Sequence, residues 1–345
     1  MYLLGQTGKR NRMKMKEYPY SLDGADGLQV FLFEQGIRAT NFELLSGGYT
    51  STVFRAALDG QPTIIKHARN RDSFYPIRQV MSETRIRTEA EVLTYLHPLF
   101  PTVVPNVLQF YPEQDVLLMT DVGQDAQLGF PYLLEGKAES IHARALGRFL
   151  AELKQETADW QPFSTIEQPF EQIWTRGMEV DLAYPAWGER MRNTYLSQQK
   201  FVWPDGHPKN VLFGNSGSPV RAIDFDCCHF GDPDYMLPNF FGQIPVFSIF
   251  GYITPQQAAQ FIGEMIQAYT EVEPISPENE QKMLFYAGTQ TIQRQDGKWL
   301  FEISRAIDDE ALRKKAFIFY FGRKTIVEIN SFDQYIQEVE KGINW

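Results

Sequence analysis

Cysteine is nearly absent. The 345 residues hold two, the adjacent Cys227 and Cys228; neighbours in a chain rarely bridge, and two thiols cannot complete a structural zinc site. A disulfide framework is excluded, and a reducing, cytoplasmic setting fits. Long apolar runs are also missing: no stretch approaches the roughly eighteen residues of a membrane span. The basic start (Lys9, Arg10, Arg12, Lys14, Lys16) runs into Tyr-Pro-Tyr-Ser, so it reads as a solvated arm and not as a secretory signal. Positive charge is in deficit, with 33 Lys and Arg against 43 Asp and Glu and a net charge of -10. A protein built for a nucleic-acid polyanion carries a basic footprint. Neither nucleic acid nor membrane is therefore expected as a partner, and a bound nucleotide would need local positive charge. Internal repeats and low-complexity tracts are absent too.

What is present is core-forming material, 43% hydrophobic residues in a chain longer than a single core usually serves, so two lobes are expected. The short pattern Gly27 to Gly36 is compatible with a packing helix. From Phe42 the texture is strand, then a turn with Gly47 and Gly48, then strand again from Ser51 to Leu58. Such a turn can present backbone N–H groups to phosphate oxygens, although an isolated Gly-Gly is more often an ordinary hairpin loop. A third strand, Thr63-Ile64-Ile65-Lys66, ends in a lysine that an antiparallel arrangement can aim beneath that turn. Ile86, Ala90, Leu93 and Leu96 recur at helical spacing. Glu89 lies on that helix and could pair with Lys66, whereas Glu91 reads as a surface residue. Val103 to Pro105 and Val107 to Tyr111 resemble strand, and Val116 to Met119 is an apolar strand running into Thr120-Asp121-Val122-Gly123, a candidate lobe boundary.

Beyond it the chain is mostly helical, with an amphipathic run over Ser140 to Glu156 in which Gly147 allows close approach. Thr254-Pro255 and Ser276-Pro277 read as helix caps with proline at the first helical position. The expected division is an arm and short helix over 1–38, a β-rich lobe over 39–119, a hinge over 120–124 and a larger helical lobe over 125–345.

The chemistry concentrates between Phe201 and Leu237. Asp205 is followed five positions on by Asn210 and the apolar run Val211 to Phe213; a Gly/Asn/Ser/Pro turn then leads to a second strand, Val220 to Phe225, ending in Asp224 and Asp226. On a hairpin Asp205, Asn210 and Asp224 can converge at one end, and carboxylate and amide oxygens suit Mg²⁺, which shares its shell with substrate phosphates. Asp and Asn are also common turn residues. Asp226 could be a further ligand or a strand-end carboxylate. His207 and His229 read better as packing or hydrogen-bonding groups than as bases, and the two cysteines as buried filler.

In this order the elements resemble the aminoglycoside phosphotransferase and choline kinase-like group, small-molecule relatives of the protein kinases. The resemblance spans Phe42 to Leu237 and is strongest in DGHPKNVLF, AIDFD and GDPDY; LLMTDVG is similar to the family hinge and LGRFLAELK to the helix that follows. It implies an α+β, bilobal, protein kinase-like fold and transfer of a phosphoryl group from ATP, with Mg²⁺, to a hydroxyl of a small molecule. It implies that Asp205 is the catalytic aspartate and that Asn210 and Asp224 are metal ligands. The nucleotide would meet Gly47, Gly48, Ser51, Lys66 with its partner Glu89, the Thr120 carbonyl and the Val122 amide. Two positions depart from the family pattern: Trp203 stands where a histidine is usual, and Met236 where an aspartate is usual. Both usual residues support the loop, so a nucleotide-binding pseudoenzyme is the alternative. Nothing resembles the activation segment of a protein kinase. Between Ala151 and Arg190 eight acidic residues face three basic ones; as a cleft wall they would favour an amine-bearing acceptor, and otherwise they coat solvent-facing helices.

Overall fold

A computed structural model describes residues 21–45, 51–68, 79–161, 185–214, 219–294, 303–304 and 309–342. Chain contacts divide it into two compact units, residues 1–87 with 107–120 and residues 88–106 with 121–345. The Gly47-Gly48 turn lies outside the described residues.

The first unit is a five-stranded antiparallel sheet in the order β1-β2-β3-β5-β4, formed by β1 (Ala39–Leu45), β2 (Ser51–Leu58), β3 (Gln61–Ala68), β4 (Val107–Tyr111) and β5 (Val116–Thr120). Helix α1 (Ala25–Glu34) covers one face, where Leu28, Phe31 and Leu32 meet Phe54, Ile65, Val116 and Leu118. Strand alternation then puts Lys66 on the opposite face, opposite Val53 of β2 and Leu117 of β5. Ser51 pairs with Ala68 on that same face. Lys66 is only 6% exposed, so its ammonium sits in a poorly solvated setting.

Helix α2 (Gln79–Leu99) precedes β4 and carries the buried stripe Ile86, Ala90, Leu93 and Leu96. Val103 to Pro105 is not the strand that its composition predicts. The amides of Val103 and Val104 both turn back to the Phe100 carbonyl, each at 3.0 Å, and so close the end of the helix.

The second unit starts with β6 (Ala126–Leu128), α3 (Gly129–Leu134), α4 (Ser140–Glu156) and α5 (Pro185–Leu196). Strands β7 (Lys200–Val202), β8 (Val211–Gly214), β9 (Val220–Ala222) and β10 (His229–Gly231) follow, paired as β6-β8-β9 and β10-β7. A 3-10 turn at Pro233–Tyr235 leads to α6 (Met236–Phe241), α7 (Ile244–Ile249), α8 (Pro255–Thr270), α9 (Pro277–Gln293), α10 (Asp309–Val327) and α11 (Phe332–Glu340). The expected caps form. Thr254 and Gln257 make a reciprocal capping box, and the Ser276 hydroxyl accepts from the Asn279 amide. Among the described residues no helix is long and apolar enough to cross a membrane.

Helices α4 and α8 pack closely because Gly147 has no side chain, and a Cβ there would land on the Met265 carbonyl. We expect Gly147→Ala to lower unfolding stability by about 1–3 kcal/mol, the usual range for overpacking. Ile141→Ala, on the same helix but 61% exposed, should stay within about 0.5 kcal/mol of the parent. Denaturant unfolding of the two variants checks this.

Candidate functional site

The segment from Trp203 to Asn210 leaves one ladder and enters another, since β7 pairs with β10 whereas β8 pairs with β6 and β9. It is closed by its own hydrogen bonds. The His207 amide donates to the Asp205 carbonyl at 2.9 Å, and the Asn210 amide to the His207 carbonyl at 2.8 Å. The Asn210 side chain then donates through Nδ2 to both the carbonyl and the Oδ2 of Asp205, each at 2.9 Å. Both partners are acceptors, which fixes the amide orientation and leaves the Asn210 Oδ1 for another ligand.

His207 holds the other carboxylate oxygen, with Nε2 at 3.2 Å from Asp205 Oδ1. The Lys209 amide donates to His207 Nδ1 at 3.1 Å, so the proton resides on Nε2, where it can donate to the carboxylate. Asp205 is thus gripped at both oxygens while 22% of its side chain stays open.

The hairpin differs from expectation at its second strand, which ends at Ala222 and not at Phe225. Ile223 donates its amide to the Asn210 carbonyl at 3.0 Å, and Asp224 takes a left-handed backbone, φ 62°. That turn breaks the strand alternation, so Asp224 follows the strand without belonging to it. Beyond it, the Phe225 amide donates to Glu89 Oε1 at 3.3 Å. Carboxylate oxygens of Glu89, Asp224 and Asp226 all lie within 4.8 Å of one another. Glu89 and Asp226 are each 1% exposed. Three carboxylates this close repel one another, and the hard oxygen donors that they present suit a divalent cation. The residues present fit Mg²⁺ on that ground. The cluster joins Glu89 to Asp224, which spacing in the sequence did not predict.

Trp203 and Met236, the two departures from the family pattern, touch each other. The Trp203 amide donates to Met236 Sδ at 3.4 Å. The Trp203 indole donates through Nε1 to the Asp224 carbonyl at 3.2 Å and stacks on Phe225, centroids 4.8 Å apart. Gly206 packs against that indole, with room for no Cβ. The substituted tryptophan therefore ties the Asp205 segment to the Asp224 turn. At the linker after β5, Asp121 Oδ1 accepts from the Gly123 amide at 2.8 Å. Arg221 Nη1 donates to the Val122 carbonyl at 2.7 Å and pairs with Asp125. Thr120 is opposite Thr63 in the first unit. Arg221 escaped the sequence reading because its partners lie almost a hundred residues away.

The remaining titratable groups are structural. Cys227 and Cys228 are both buried free thiols. Burial pushes the Cys228 thiol far up, and the charges of Asp226, Glu89, Asp224 and Asp205 push it further. His229 lies between the Cys227 carbonyl (Nδ1, 2.7 Å) and the Tyr195 hydroxyl (Nε2, 2.8 Å).

The chain belongs to the phosphotransferase enzyme family (APH), which matches residues 41–274. By that membership it is a phosphotransferase. The match continues beyond Leu237, where the resemblance legible by eye ends. In fold the chain is similar to a choline/ethanolamine kinase family protein from Mesorhizobium loti, with 18% identity, a TM-score of 0.50 and coverage of 88% of this chain and 93% of that one. It is also similar to amicoumacin kinase hAmiN, solved in complex with AMP-PNP, Ca²⁺ and Ami, with 13% identity, a TM-score of 0.59 and coverage of 90% and 97%. No curated protein matches the sequence.

Burial pulls the His229 pKa from 6.5 down to about 4, so the folded protein holds this imidazole neutral. The sign follows from linkage. Above about pH 6.5 neither state binds the proton; as pH falls from there towards 4 the unfolded chain binds it first, and stability drops by about 1.4 kcal/mol per unit. Unfolding measured from pH 7.5 to 4.5 should show this slope in the parent and a shallower one in His229→Gln.

Proposed function

We propose that this protein is an ATP-dependent O-phosphotransferase acting on a hydroxyl of a small molecule. The observation that carries the reading is the doubly held, partly open carboxylate of Asp205 beside an Asn210 whose Oδ1 is left for a ligand. Phosphoryl transfer asks mainly for positioning and charge neutralisation. The bond from the γ-phosphorus to the bridging oxygen breaks, the acceptor oxygen bonds to that phosphorus, and ADP leaves. Asp205, acceptor-facing in this reading, orients the hydroxyl and takes its proton. His207 and Asn210 keep the carboxylate aimed. Asn210 and Asp224 would hold Mg²⁺, with Asp226 a further oxygen beside them; when bound, the ion neutralises charge on the phosphate oxygens. Lys66, with Glu89 as its proposed partner, would supply positive charge to the α/β phosphates. Gly47, Gly48 and Ser51 would meet the phosphates as well, and the Thr120 carbonyl and the Val122 amide would serve adenine. Membership of the phosphotransferase family supports this assignment, and so does a fold neighbour that holds an ATP analogue.

The pseudoenzyme reading drew its force from Trp203 and Met236. It is not favoured, because these two residues bond to each other and Trp203 braces the Asp224 carbonyl. The buried pair of free thiols supports a reducing compartment such as the cytoplasm.

For the acceptor, an acidic wall over Ala151 to Arg190 would favour an amine-bearing molecule such as an amino sugar or amino alcohol. Of the eight acidic residues between Ala151 and Arg190, Glu156, Asp159 and Glu189 are exposed, and Glu152 lies 4.0 Å from Arg148. Glu167, Glu171, Glu179 and Asp181 fall outside the described residues. The neighbours are named for choline/ethanolamine and for amicoumacin, which keeps amines first in a screen. ATP turnover should be compared among choline, ethanolamine, an aminoglycoside, glucose and gluconate. Amines should lead, and a lead for glucose or gluconate would end the cationic reading.

Two sets of variants test the roles. Asp205→Ala should leave MgATP affinity within about threefold and reduce transfer by about 10²–10⁴-fold, the span of general-base contributions. Asp224→Ala should weaken nucleotide binding only when Mg²⁺ is present. Calorimetry with and without the ion separates them, and loss of affinity in the first variant alone would reverse the assignment. Lys66→Ala and Glu89→Ala should be non-additive, the double variant being little worse than Lys66→Ala; simple addition of the two losses would mean that the residues do not act as a pair.

A further inference from the structure

Residues three apart on a helix share a face. On α6, position 239 therefore lies one turn beyond position 236, where Met236 leaves the loop without the usual carboxylate. Asn239 is 1% exposed. Its Nδ2 donates to the Pro204 carbonyl at 2.9 Å and to the Gly206 carbonyl at 3.1 Å, the two residues flanking Asp205. Its Oδ1 accepts from the Tyr235 hydroxyl at 3.3 Å, and the Tyr235 oxygen in turn accepts from Gln290 Nε2 at 2.8 Å. Tyr235 and Gln290 are each 1% exposed as well. The result is a buried relay from α9 through the Pro233–Tyr235 turn and α6 to the backbone on both sides of Asp205.

We propose that Asn239, oriented by Tyr235 and Gln290, is a positioning residue that fixes the backbone on both sides of Asp205 and so lets His207 and Asn210 aim its carboxylate. The inference rests on the phosphoryl-transfer reading for its consequence in catalysis, though not for its geometry. The two loop carbonyls require a donor, and an amide provides two N–H bonds with an acceptor oxygen left for Tyr235. A carboxylate of the same shape has no hydrogen to give and would set its oxygens against two carbonyls. Asn239 thus supports the loop through its carbonyls, which an aspartate acceptor could not serve.

The test uses the full chain and four variants: Asn239→Ala, Asn239→Asp, Tyr235→Phe and Gln290→Leu. ATP turnover is measured with whichever acceptor of the panel above reacts best, MgATP affinity by calorimetry, and amide exchange by segment. Both Asn239 variants should lose about 10²-fold in kcat, the scale of a 1 Å misplacement, with MgATP affinity within about threefold. Tyr235→Phe should lie between them and the parent, and Gln290→Leu closer to the parent. Exchange should quicken at His207 and Asn210, whose amides close the loop, and not in α8. If Asn239→Asp does not fold, Tyr235→Phe and Gln290→Leu decide the matter by the same kcat and exchange readings. The proposal is overturned by a folded Asn239→Ala with kcat within twofold of the parent and unchanged loop exchange. It is also overturned if kcat, MgATP affinity and exchange throughout the second unit deteriorate together. A parent protein that transfers no phosphate to any acceptor would defeat the proposed function, while loop-confined exchange in the Asn239 variants would still uphold this role.

Discussion

The amide of Asn210 makes two bonds to one residue, to the Asp205 carbonyl and to its carboxylate, and the site is built around them. One holds the turn and the other holds the chemistry, so the backbone and the side chain of Asp205 cannot move independently. The segment needs this because it spans two separate ladders, which fix only its ends. A buried loop also has to satisfy its carbonyls internally, since each unmade hydrogen bond costs about 1–3 kcal/mol. The Asp205 carbonyl is met by Asn210 and by the His207 amide, and those of Pro204 and Gly206 by Asn239. Rigidity at Asp205 thus follows from hydrogen-bond satisfaction and needs no additional interaction.

Trp203 extends the same logic to the second half of the hairpin. Its flat ring packs against Gly206, which must lack a Cβ, and stacks on Phe225, and its single N–H reaches the Asp224 carbonyl. An indole is a donor only, so it can serve a carbonyl at that point but could not serve an amide. The residue that departs from the family pattern thus serves the Asp224 carbonyl through an indole N–H. Met236 adds to this, as its thioether is a weak acceptor for the Trp203 amide.

The parts legible in the sequence were those governed by local rules. Alternation in β2, β3 and β5, the stripe on α2, and the Thr-Pro and Ser-Pro helix starts depend on residues within a few positions of each other. The Asp205–Asn210 bond is equally local. The end of β9 was not legible, because Ile223, Asp224 and Phe225 alternate as a strand does and are bent by bonds to Asn210 and Glu89. Asn239 and Arg221 were hidden for a related reason. Each is an ordinary polar residue in its own element, and its role comes from a carbonyl presented by a distant one.

Asp232 and Asp234 show why carboxylates alone did not identify the site. They are as buried as Asp226, yet they sit among cations: Lys282 reaches both at 2.8 Å, and Lys154 reaches Asp234 at 2.8 Å. Burial pushes the Asp232 carboxyl up, and Lys282 only partly offsets this. For Asp234 burial acts the same way, but two lysines outweigh it and hold the group below its ordinary value. Tyr286 adds a hydrogen bond to Asp232. These contacts join α4 and α9 to the turn that launches α6, and α6 carries Asn239. Breaking one of these pairs would leave a buried charge uncompensated, which costs more than the pair contributes. Glu89, Asp224 and Asp226 instead bring their carboxylate oxygens within 4.8 Å of one another, and three hard, acidic donors at that spacing suit a site that receives a cation.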